Sequence, residues 1–299
     1  MARKIVFRID DKHVGKTVKD FLKSHGFSHG IVSVLKSYDE GIMVNGNRVF
    51  TDYILKNNDE LVLNIIEKST NSHLPAYDYE LDIVYEDEDI LIINKPYGMP
   101  IHPSRLNYTE TLANAITSYL IKKGIDPVFH CINRLDKDTS GLTIIAKNMY
   151  AAGLLSEMVK KREIHREYTA IVEGILTEKT GRIDEPILKI GTSMKRVVDE
   201  AGERAVTNYE VLAENNNLSI VRLILETGKT HQIRVHMLHV GHPLIGDQLY
   251  NPDNRIMNRQ ALHASRLSFI HPVTSEKIDV ISELPTDMQK VISDYEIFK

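Results

Sequence analysis

The sequence predicts an α+β protein in two unequal parts, the larger of which is built on a mixed, mostly antiparallel sheet. Short segments rich in β-branched and aromatic residues recur along the chain, and strand-like segments predominate after residue 166. No repeat of fixed period is present, and strands with interspersed helices indicate an α+β fold. Because the chain has 299 residues, 42% of them hydrophobic, it can bury a sizeable core.

The composition narrows the class of protein. No stretch approaches the roughly 18 consecutive apolar residues that a membrane helix needs, and the first residues soon become charged, unlike those of a signal peptide. The one cysteine, Cys131, cannot form an internal disulfide, which fits a reducing compartment. We therefore expect a cytoplasmic protein with no membrane partner. The formal net charge of −4 argues against binding nucleic acid through bulk positive charge, but it is compatible with local basic grooves.

The N-terminal part of the chain predicts a small α+β module. Its predicted elements are a strand, two helices, a hairpin and a further strand, at residues 4–9, 17–26, 30–38, 42–50 and 60–65. The pair Asn45-Gly46 supplies the positive φ angles of a two-residue hairpin turn. This order of elements resembles the S4 RNA-binding module, with Ser28-His29 where that family has Ser-Arg. The resemblance implies an RNA-binding domain over residues 1–66, and the alternative is a small structural domain without a ligand.

A polar segment follows this module. Residues 67–75 contain few core-forming side chains and end at Pro75. We therefore predict a linker over residues 67–77 and one larger domain over residues 78–299.

The larger part predicts a series of strands with two helices among them. The strands are expected at residues 81–85, 90–94, 142–146, 168–172, 204–209 and 218–225, and the helices at residues 110–123 and 149–161. Residues 174–203 are polar and are expected to form loops, and the acidic turn at residues 86–89 is expected to be solvated.

A polar loop at residues 132–142 carries the most informative pattern. It places an arginine and two aspartates between two apolar segments, so it can present charged groups to a cleft, although a polar surface turn has the same composition. Residues 133–141 resemble the catalytic loop of the large-ribosomal-subunit (RluA/RluD) type of RNA pseudouridine synthase. That pattern reads His-Arg-Leu-Asp, two variable residues and Thr-Ser-Gly, and Asn133 stands where the family has His.

Further segments resemble the same family, so that the resemblance covers about residues 78–299. They lie at residues 94–100, 166–174, 227–236 and 262–272. The resemblance implies a pseudouridine synthase fold and an isomerase that converts specific uridines of structured RNA to pseudouridine without a cofactor. It implies 23S ribosomal RNA as the substrate, with transfer RNA as the alternative. We expect a monomer that requires no protein partner.

The resemblance also implies which residues act on the substrate. The reaction breaks the C1′–N1 bond, rotates the detached uracil and rejoins it through C5, which requires a carboxylate. Asp136 holds the family's position for that carboxylate, and both attack on the sugar and deprotonation at C2′ remain open. Arg234 is implied to pair with Asp136 and keep it ionised, and Tyr168 to stack on the uracil and remove the C5 proton. Asp138, at a variable position, is expected to bond to backbone amides of the turn.

Four further residues are candidates for substrate binding. Because a base inside a helix cannot be reached, the uridine must be flipped out, and Arg134 is expected to contact phosphate or to fill the vacated stack. Leu262 is expected to wall the uracil pocket, and His231 and Gln232 are expected to face the RNA.

Other functions have weaker support. A catalytically inactive RNA-binding protein that keeps the synthase fold is the main alternative, and Asn133 is the observation that favours it. A glycosidase would need a second acid at suitable spacing, which is not evident. Four histidines between residues 231 and 242 lack a carboxylate or cysteine that would complete a familiar zinc spacing, so we expect no metal.

Overall fold

The computed structural model describes residues 3–66, 74–105, 107–252 and 255–297, so most of the predicted linker lies outside the described residues. The strands are β1 (Arg3–Arg8), β2 (Ile42–Val44), β3 (Asn47–Arg48), β4 (Glu60–Ile65), β5 (Ile83–Glu86), β6 (Ile90–Lys95), β7 (His130–Cys131), β8 (Ser140–Ala146), β9 (His165–Glu173), β10 (Thr180–Asp184), β11 (Ile187–Lys189), β12 (Arg196–Val198), β13 (Val206–Asn215), β14 (Leu218–Leu225), β15 (Leu262–Ile270) and β16 (Lys277–Ile281). The helices are α1 (Val18–Ser24), α2 (His29–Lys36), α3 (Leu112–Lys122), α4 (Met149–Lys160), α5 (Gln232–His239) and α6 (Thr286–Asp294). Within the described ranges, no helix has the length and apolar character that crossing a membrane requires.

The N-terminal module is a four-stranded antiparallel sheet with two helices packed on it. The strand order is β1-β4-β2-β3. Thr17 begins α1 by accepting the backbone N–H of Asp20, and Ser28 begins α2 by accepting that of Ile31. The predicted order of strand, two helices, hairpin and strand is confirmed, whereas the RNA-binding role of the module stays a prediction.

A large mixed sheet forms the rest of the fold. Its strand order is β10-β13-β14-β9-β15-β8-β6-β5, with β16 paired to β15 and β7 paired to β8. Among the described strands of this sheet the one parallel pair is β15 with β8, and the remaining pairs are antiparallel. The predicted α+β class with a mixed, mostly antiparallel sheet is therefore confirmed.

The sequence predicted loops over the polar segment at residues 174–203, but the structure also has strands there. The segment contains the edge strand β10, which pairs with β13, and a separate hairpin made of β11 and β12. β10 is mostly polar, and β11 and β12 are only three residues long, so none of them shows the apolar alternation on which strand prediction depends. Strand pairing decides their conformation: β10 pairs with β13, which is distant in sequence, whereas β11 and β12 pair with each other.

The parallel pair brings the polar loop next to the start of β15. The loop leads directly into β8, and β15 begins at Leu262. Gly141 allows the close approach: its φ is +109°, and a Cβ there would lie 2.3 Å from the carbonyl oxygen of Ala264. On the other side of β15, Ala264 pairs with Tyr168 of β9. The loop, Leu262 and Tyr168 are thus held together by the centre of the sheet.

The N-terminal module packs directly on the larger part of the chain. The ring of Phe27 stacks on Tyr150 in the first turn of α4, with ring centroids 4.1 Å apart. Arg3 donates two hydrogen bonds of 2.8 Å to Asp89, which also accepts one from Asn148. The acidic turn before β6 was expected to be solvated, and for Asp89 this was wrong, because these partners bury its carboxylate.

Candidate active site

A cavity of about 480 Å³ opens where the polar loop, β9, β15 and the start of α5 meet. It is lined by all seven residues that the sequence singled out: Arg134, Asp136, Tyr168, His231, Gln232, Arg234 and Leu262. The cavity also includes Arg166 and Gly228, to which the sequence analysis gave no role.

Asn133 anchors the start of the loop to β8. Its side chain is buried, and its amide donates to the carbonyl oxygen of Leu142 at 3.1 Å while its own oxygen accepts the N–H of Ile144 at 2.8 Å. The hydroxyl of Thr143 donates to the backbone oxygen of Asn133 at 2.8 Å. The side chain of Asn133 therefore pairs with a backbone N–H and a backbone carbonyl of a buried strand, as the main chain of a neighbouring strand would. This gives the one departure from the family's loop pattern a structural explanation.

Lys95 is hydrogen-bonded to the backbone in the middle of the loop. Its ammonium group donates to three backbone oxygens, those of Pro96, Met99 and Lys137, at 2.7, 2.9 and 3.0 Å. Burial lowers the pKa of Lys95 to about 7, although the nearby carboxylates of Asp138 and Asp136 oppose that shift. Lys95 lies in the segment at residues 94–100, but the sequence alone did not indicate its contact with the loop.

The turn that carries Asp136 is closed by the backbone. Thr139 donates its N–H to the carbonyl oxygen of Asp136 at 3.1 Å. The carboxylate of Asp138 forms no hydrogen bond with any described residue, so the expectation that it would hold the turn was wrong. The closure instead needs no side chain, which is common for turns of this length.

Arg234 connects Asp136 to a second, buried aspartate. Its Nη1 donates to Oδ2 of Asp136 at 2.8 Å, while its Nε and Nη2 bind both oxygens of Asp247 at 2.7 and 2.8 Å. Burial alone would lower the pKa of Arg234, but the hydrogen bonds and charges of Asp247 and Asp136 outweigh it and raise the pKa. The pairing of Arg234 with Asp136 is present, but through a single bond, because the guanidinium fork binds Asp247. The sequence did not indicate Asp247, because it lies outside the segments that resemble the family.

The Asp136 carboxylate keeps one oxygen available to the cavity. Its side chain is 26% exposed, and its Oδ1 accepts no hydrogen bond from the described residues. Tyr168 lines the same cavity, and its hydroxyl bonds to none of the residues that the structure describes. Burial raises the pKa of Tyr168; the charge of Arg166 acts in the opposite direction without cancelling the effect, and that of Asp136 adds to it. Tyr168 is therefore a neutral phenol at neutral pH.

His231 stands between Asp136 and a tyrosine that the sequence analysis missed. Its Nδ1 lies 2.8 Å from the hydroxyl of Tyr250, and its Nε2 lies 3.8 Å from Oδ2 of Asp136. The same hydroxyl accepts the N–H of Arg196 in β12 at 2.9 Å, so its own proton is available to Nδ1. In the tautomer in which Nδ1 accepts that proton, the imidazole proton lies on Nε2 and faces Asp136. Burial lowers the pKa of His231; the charge of Asp136 opposes this shift, and the charge of Arg234 adds to it.

The backbone at His231 has a conformation that brings the ring to this position. Its φ is +59°, in the left-handed region that few residues other than glycine adopt, and it directly precedes α5. Such strained positions are retained where the surrounding contacts fix them, often at functional sites. The sequence Lys229-Thr230-His231 gives no local signal for this conformation.

Gln232 differs from the other candidates, because its side chain is fully used inside the protein. Its oxygen accepts from Thr227 and from the N–H of Lys229, and its nitrogen donates to Val206 and Thr207. These four bonds leave no polar group of Gln232 for an RNA contact. They hold the turn at residues 227–231 against β13.

The last two candidates line the cavity and differ in their exposure to solvent. Leu262 is buried in its wall, whereas Arg134 is exposed and bonds to none of the described residues. Burial lowers the pKa of His102, and the positive charge of Arg134 lowers it further, which places Arg134 near His102. In the described part of the chain, no group of three or more potential ligands is arranged to hold a metal ion.

A family model described as RNA pseudouridylate synthase matches residues 89–239, which include the loop, Tyr168 and Arg234. The chain belongs to this family. It is 40% identical over 278 residues to the uncharacterized RNA pseudouridine synthase YjbO of Bacillus subtilis, covering 92% of this chain and 98% of that protein. It is also 42% identical over 238 residues to the ribosomal large subunit pseudouridine synthase D of Haemophilus ducreyi, covering 73% of each chain.

Solved structures of the family share the fold. The human RNA pseudouridylate synthase domain containing 4 superposes with a TM-score of 0.60 at 24% identity, covering 73% of this chain and 94% of that one. The human RNA pseudouridylate synthase domain containing 1 gives a TM-score of 0.57 at 25% identity, covering 74% of this chain and 97% of that one. The chain is thus an RNA pseudouridine synthase, an isomerase, with the fold of its family.

Proposed function

We propose that this enzyme isomerises specific uridines of structured RNA, and that Asp136 is the carboxylate that starts the reaction. The observation that carries this proposal is the 2.8 Å hydrogen bond from Arg234 to Asp136 in the wall of a cavity that Tyr168 and Leu262 also line. The guanidinium stabilises the negative charge on one carboxylate oxygen, and the other oxygen is left for the substrate. A carboxylate held in this way can act directly on a ribose.

The proposed reaction requires no oxidant, reductant or cofactor. The C1′–N1 bond breaks and a C1′–C5 bond forms, while N1 gains a proton and C5 loses one, so the product is an isomer of the substrate. Two routes for Asp136 satisfy this balance. In one, its oxygen attacks C1′ and is later displaced by C5; in the other, it removes the C2′ proton and returns it in the last step.

We propose that Tyr168 supports the detached uracil as it turns. The phenol ring is buried in the cavity wall, which suits a flat surface for stacking. To act as the base that removes the C5 proton, Tyr168 must first lose the proton of its own neutral phenol. Burial shifts its pKa against that loss, and the nearby Arg166 favours it.

The remaining cavity residues fit a flipped nucleotide. We propose that Leu262 walls the uracil and that His231 directs its Nε2 proton towards Asp136. Arg134 at the exposed rim can contact phosphate or fill the stack that the uridine vacates. For Gln232 we propose a structural role in place of an RNA contact, because its four internal bonds use the whole amide.

For the substrate we propose 23S ribosomal RNA, with transfer RNA as the alternative. Support comes from the relative named ribosomal large subunit pseudouridine synthase D, which is 42% identical to this chain. We further propose that the N-terminal module binds RNA and that the enzyme acts as a cytoplasmic monomer without a protein partner. Mapping pseudouridine in the RNA of a strain that lacks the protein would distinguish the two substrates, because the missing modification lies in one or the other.

The decisive test is release of tritium from RNA that contains 5-tritiated uridine. We expect Asp136→Asn to abolish release while RNA binding, measured by filter retention, persists. The matched control is Asp138→Asn, which removes the same charge at a position two residues further along the loop. The carboxylate of Asp138 has no hydrogen-bond partner among the described residues. Release by Asp136→Asn at the unmodified enzyme's rate would refute the role of Asp136.

A further inference from the structure

Arg166 is a buried arginine that has no hydrogen-bond or ion-pair partner among the described residues. It is 7% exposed, its Nε has no hydrogen-bond partner, and none of its side-chain nitrogens bonds to or forms an ion pair with a described residue. The other two buried arginines near the loop differ, because Arg234 binds both oxygens of Asp247 and Arg259 binds both oxygens of Asp287. A buried cation without a counter-charge is costly, so a position of this kind calls for an anion from outside the protein.

Arg166 is directed into the catalytic cavity. It lies two residues before Tyr168 on β9, and alternate residues of a strand point to the same face. Its guanidinium rests against Gly228, where a Cβ would come within 2.9 Å of Nη1. The missing side chain at Gly228 therefore leaves room for the guanidinium. The nearby Lys229, by contrast, is already paired with Glu203.

We propose that Arg166 binds a phosphate of the nucleotide that enters the cavity. The proposal rests on the function proposed above, since it takes the occupant to be a flipped uridine. Uracil and ribose are neutral, so the phosphodiester groups are the anions that such a nucleotide brings with it. A free guanidinium fork matches two phosphate oxygens in geometry and in charge. Arg166 thereby fixes the backbone of the target nucleotide, while Tyr168 on the same strand faces its base.

Small nucleotides can test this assignment without knowledge of the target site. The probes are uridine, uridine 5′-monophosphate, uridine 3′-monophosphate, uridine 3′,5′-bisphosphate and inorganic phosphate, with affinities measured by calorimetry on the full chain. We expect one monophosphate and the bisphosphate to bind about tenfold or more tightly than uridine, as one charged contact provides. The monophosphate that shows the gain identifies which phosphate Arg166 contacts.

Two variants and a control separate this role from general charge and from folding. We expect Arg166→Gln to remove the preference for phosphate without lowering the melting temperature, because it removes an unpaired buried charge. Gly228→Ala should weaken the preference while the arginine remains, by crowding the guanidinium. Lys161→Gln, which removes one positive charge at the exposed end of α4, should leave the preference unchanged.

The outcomes distinguish this inference from the proposed function. An undiminished preference for phosphate in folded Arg166→Gln overturns the assignment, and so does equal binding of uridine and all phosphorylated probes by the unmodified chain. Asp136→Asn should keep the full preference, since it changes the reacting group and not the phosphate contact. Loss of tritium release therefore reports on Asp136, whereas loss of the phosphate preference reports on Arg166.

Discussion

The side-chain oxygen of Asn133 accepts the backbone N–H of Ile144 at 2.8 Å, and the amide of the same side chain donates to the strand two residues earlier. The loop that carries Asp136 is therefore fastened to β8 by the residue just before Arg134. A histidine, which the family has at this position, can also donate with one ring nitrogen and accept with the other.

Asn133→Ala is expected to lower the free energy of unfolding by about 1–3 kcal/mol, because it leaves a buried N–H and a buried carbonyl of β8 unpaired. The rate of tritium release should fall with it, since the loop loses its anchor. Asn133→His should retain more stability and more activity than the alanine variant. Urea unfolding measures the stability, and tritium release measures the activity. An alanine variant as stable as the parent would contradict the anchoring role of Asn133.

Asp247→Asn is expected to lower kcat by about 10- to 100-fold, in line with the ~1.5–3 kcal/mol of a hydrogen bond to a charged group. The reason is that Asp247 orients the guanidinium that holds Asp136. RNA affinity should change little.

Asp287→Asn is the matched control for Asp247→Asn, because it breaks the corresponding fork of Arg259 outside the catalytic cavity. Single-turnover kinetics on the same RNA compare the two. Equal losses in both variants would mean that Asp247 acts through overall stability.

Tyr250→Phe is expected to lower kcat by about fivefold, corresponding to ~1 kcal/mol for the lost hydrogen bond, with KM for RNA unchanged. With the proton of His231 on Nε2, the Tyr250 hydroxyl donates to Nδ1 and stabilises the neutral ring, so that the pKa of His231 should rise when the hydroxyl is removed. The acid limb of the kcat profile should then move to higher pH.

Nitrogen-15 NMR of the His231 ring provides a direct check on this role. The parent should show the proton on Nε2, and Tyr250→Phe should show a mixture of the two tautomers. A parent ring with its proton on Nδ1 would contradict the arrangement, whatever the kinetics.

Lys95→Met is expected to lower the free energy of unfolding by about 1–3 kcal/mol, since three backbone oxygens lose their donor. The difference should also depend on pH. The pKa of Lys95 is about 7 in the folded chain and close to its usual 10.5 when unfolded, so between these values the unfolded state binds one more proton. The parent should therefore gain stability relative to the variant as the pH rises from 7 to 10.

Unfolding in guanidinium chloride at pH 6, 8 and 10 measures this dependence on pH. Below pH 7 both states carry the proton, and the difference should be constant. A difference that shrinks above pH 7 would contradict the lowered pKa.

The sequence predicted the elements and the members of the cavity because both depend on local patterns. Asp136, Tyr168 and Leu262 could be named from short segments, and β8, β9 and β14 from apolar residues within single strands. The hairpin of β11 and β12 could not, because each strand is only three residues long and shows no alternation of apolar and polar side chains.

The contacts among the cavity residues could not be predicted from local sequence patterns. Asp247 and Tyr250 follow α5 in a loop, and nothing near them in the sequence indicates that they face Arg234 and His231. That Arg166 has no partner in the described part of the chain is likewise a property of the folded cavity, which no local pattern reveals.

The close packing of Gly141 against Ala264 also determines which activation parameter should change when the loop is loosened. Because this contact and the Asn133 anchor fix both ends of the loop, the chain loses the conformational entropy of positioning Asp136 when it folds, before any RNA arrives. A variant that loosens either end transfers that ordering to the reaction itself. Its effect belongs in the activation entropy, so the slope of an Eyring plot can stay unchanged while its intercept falls.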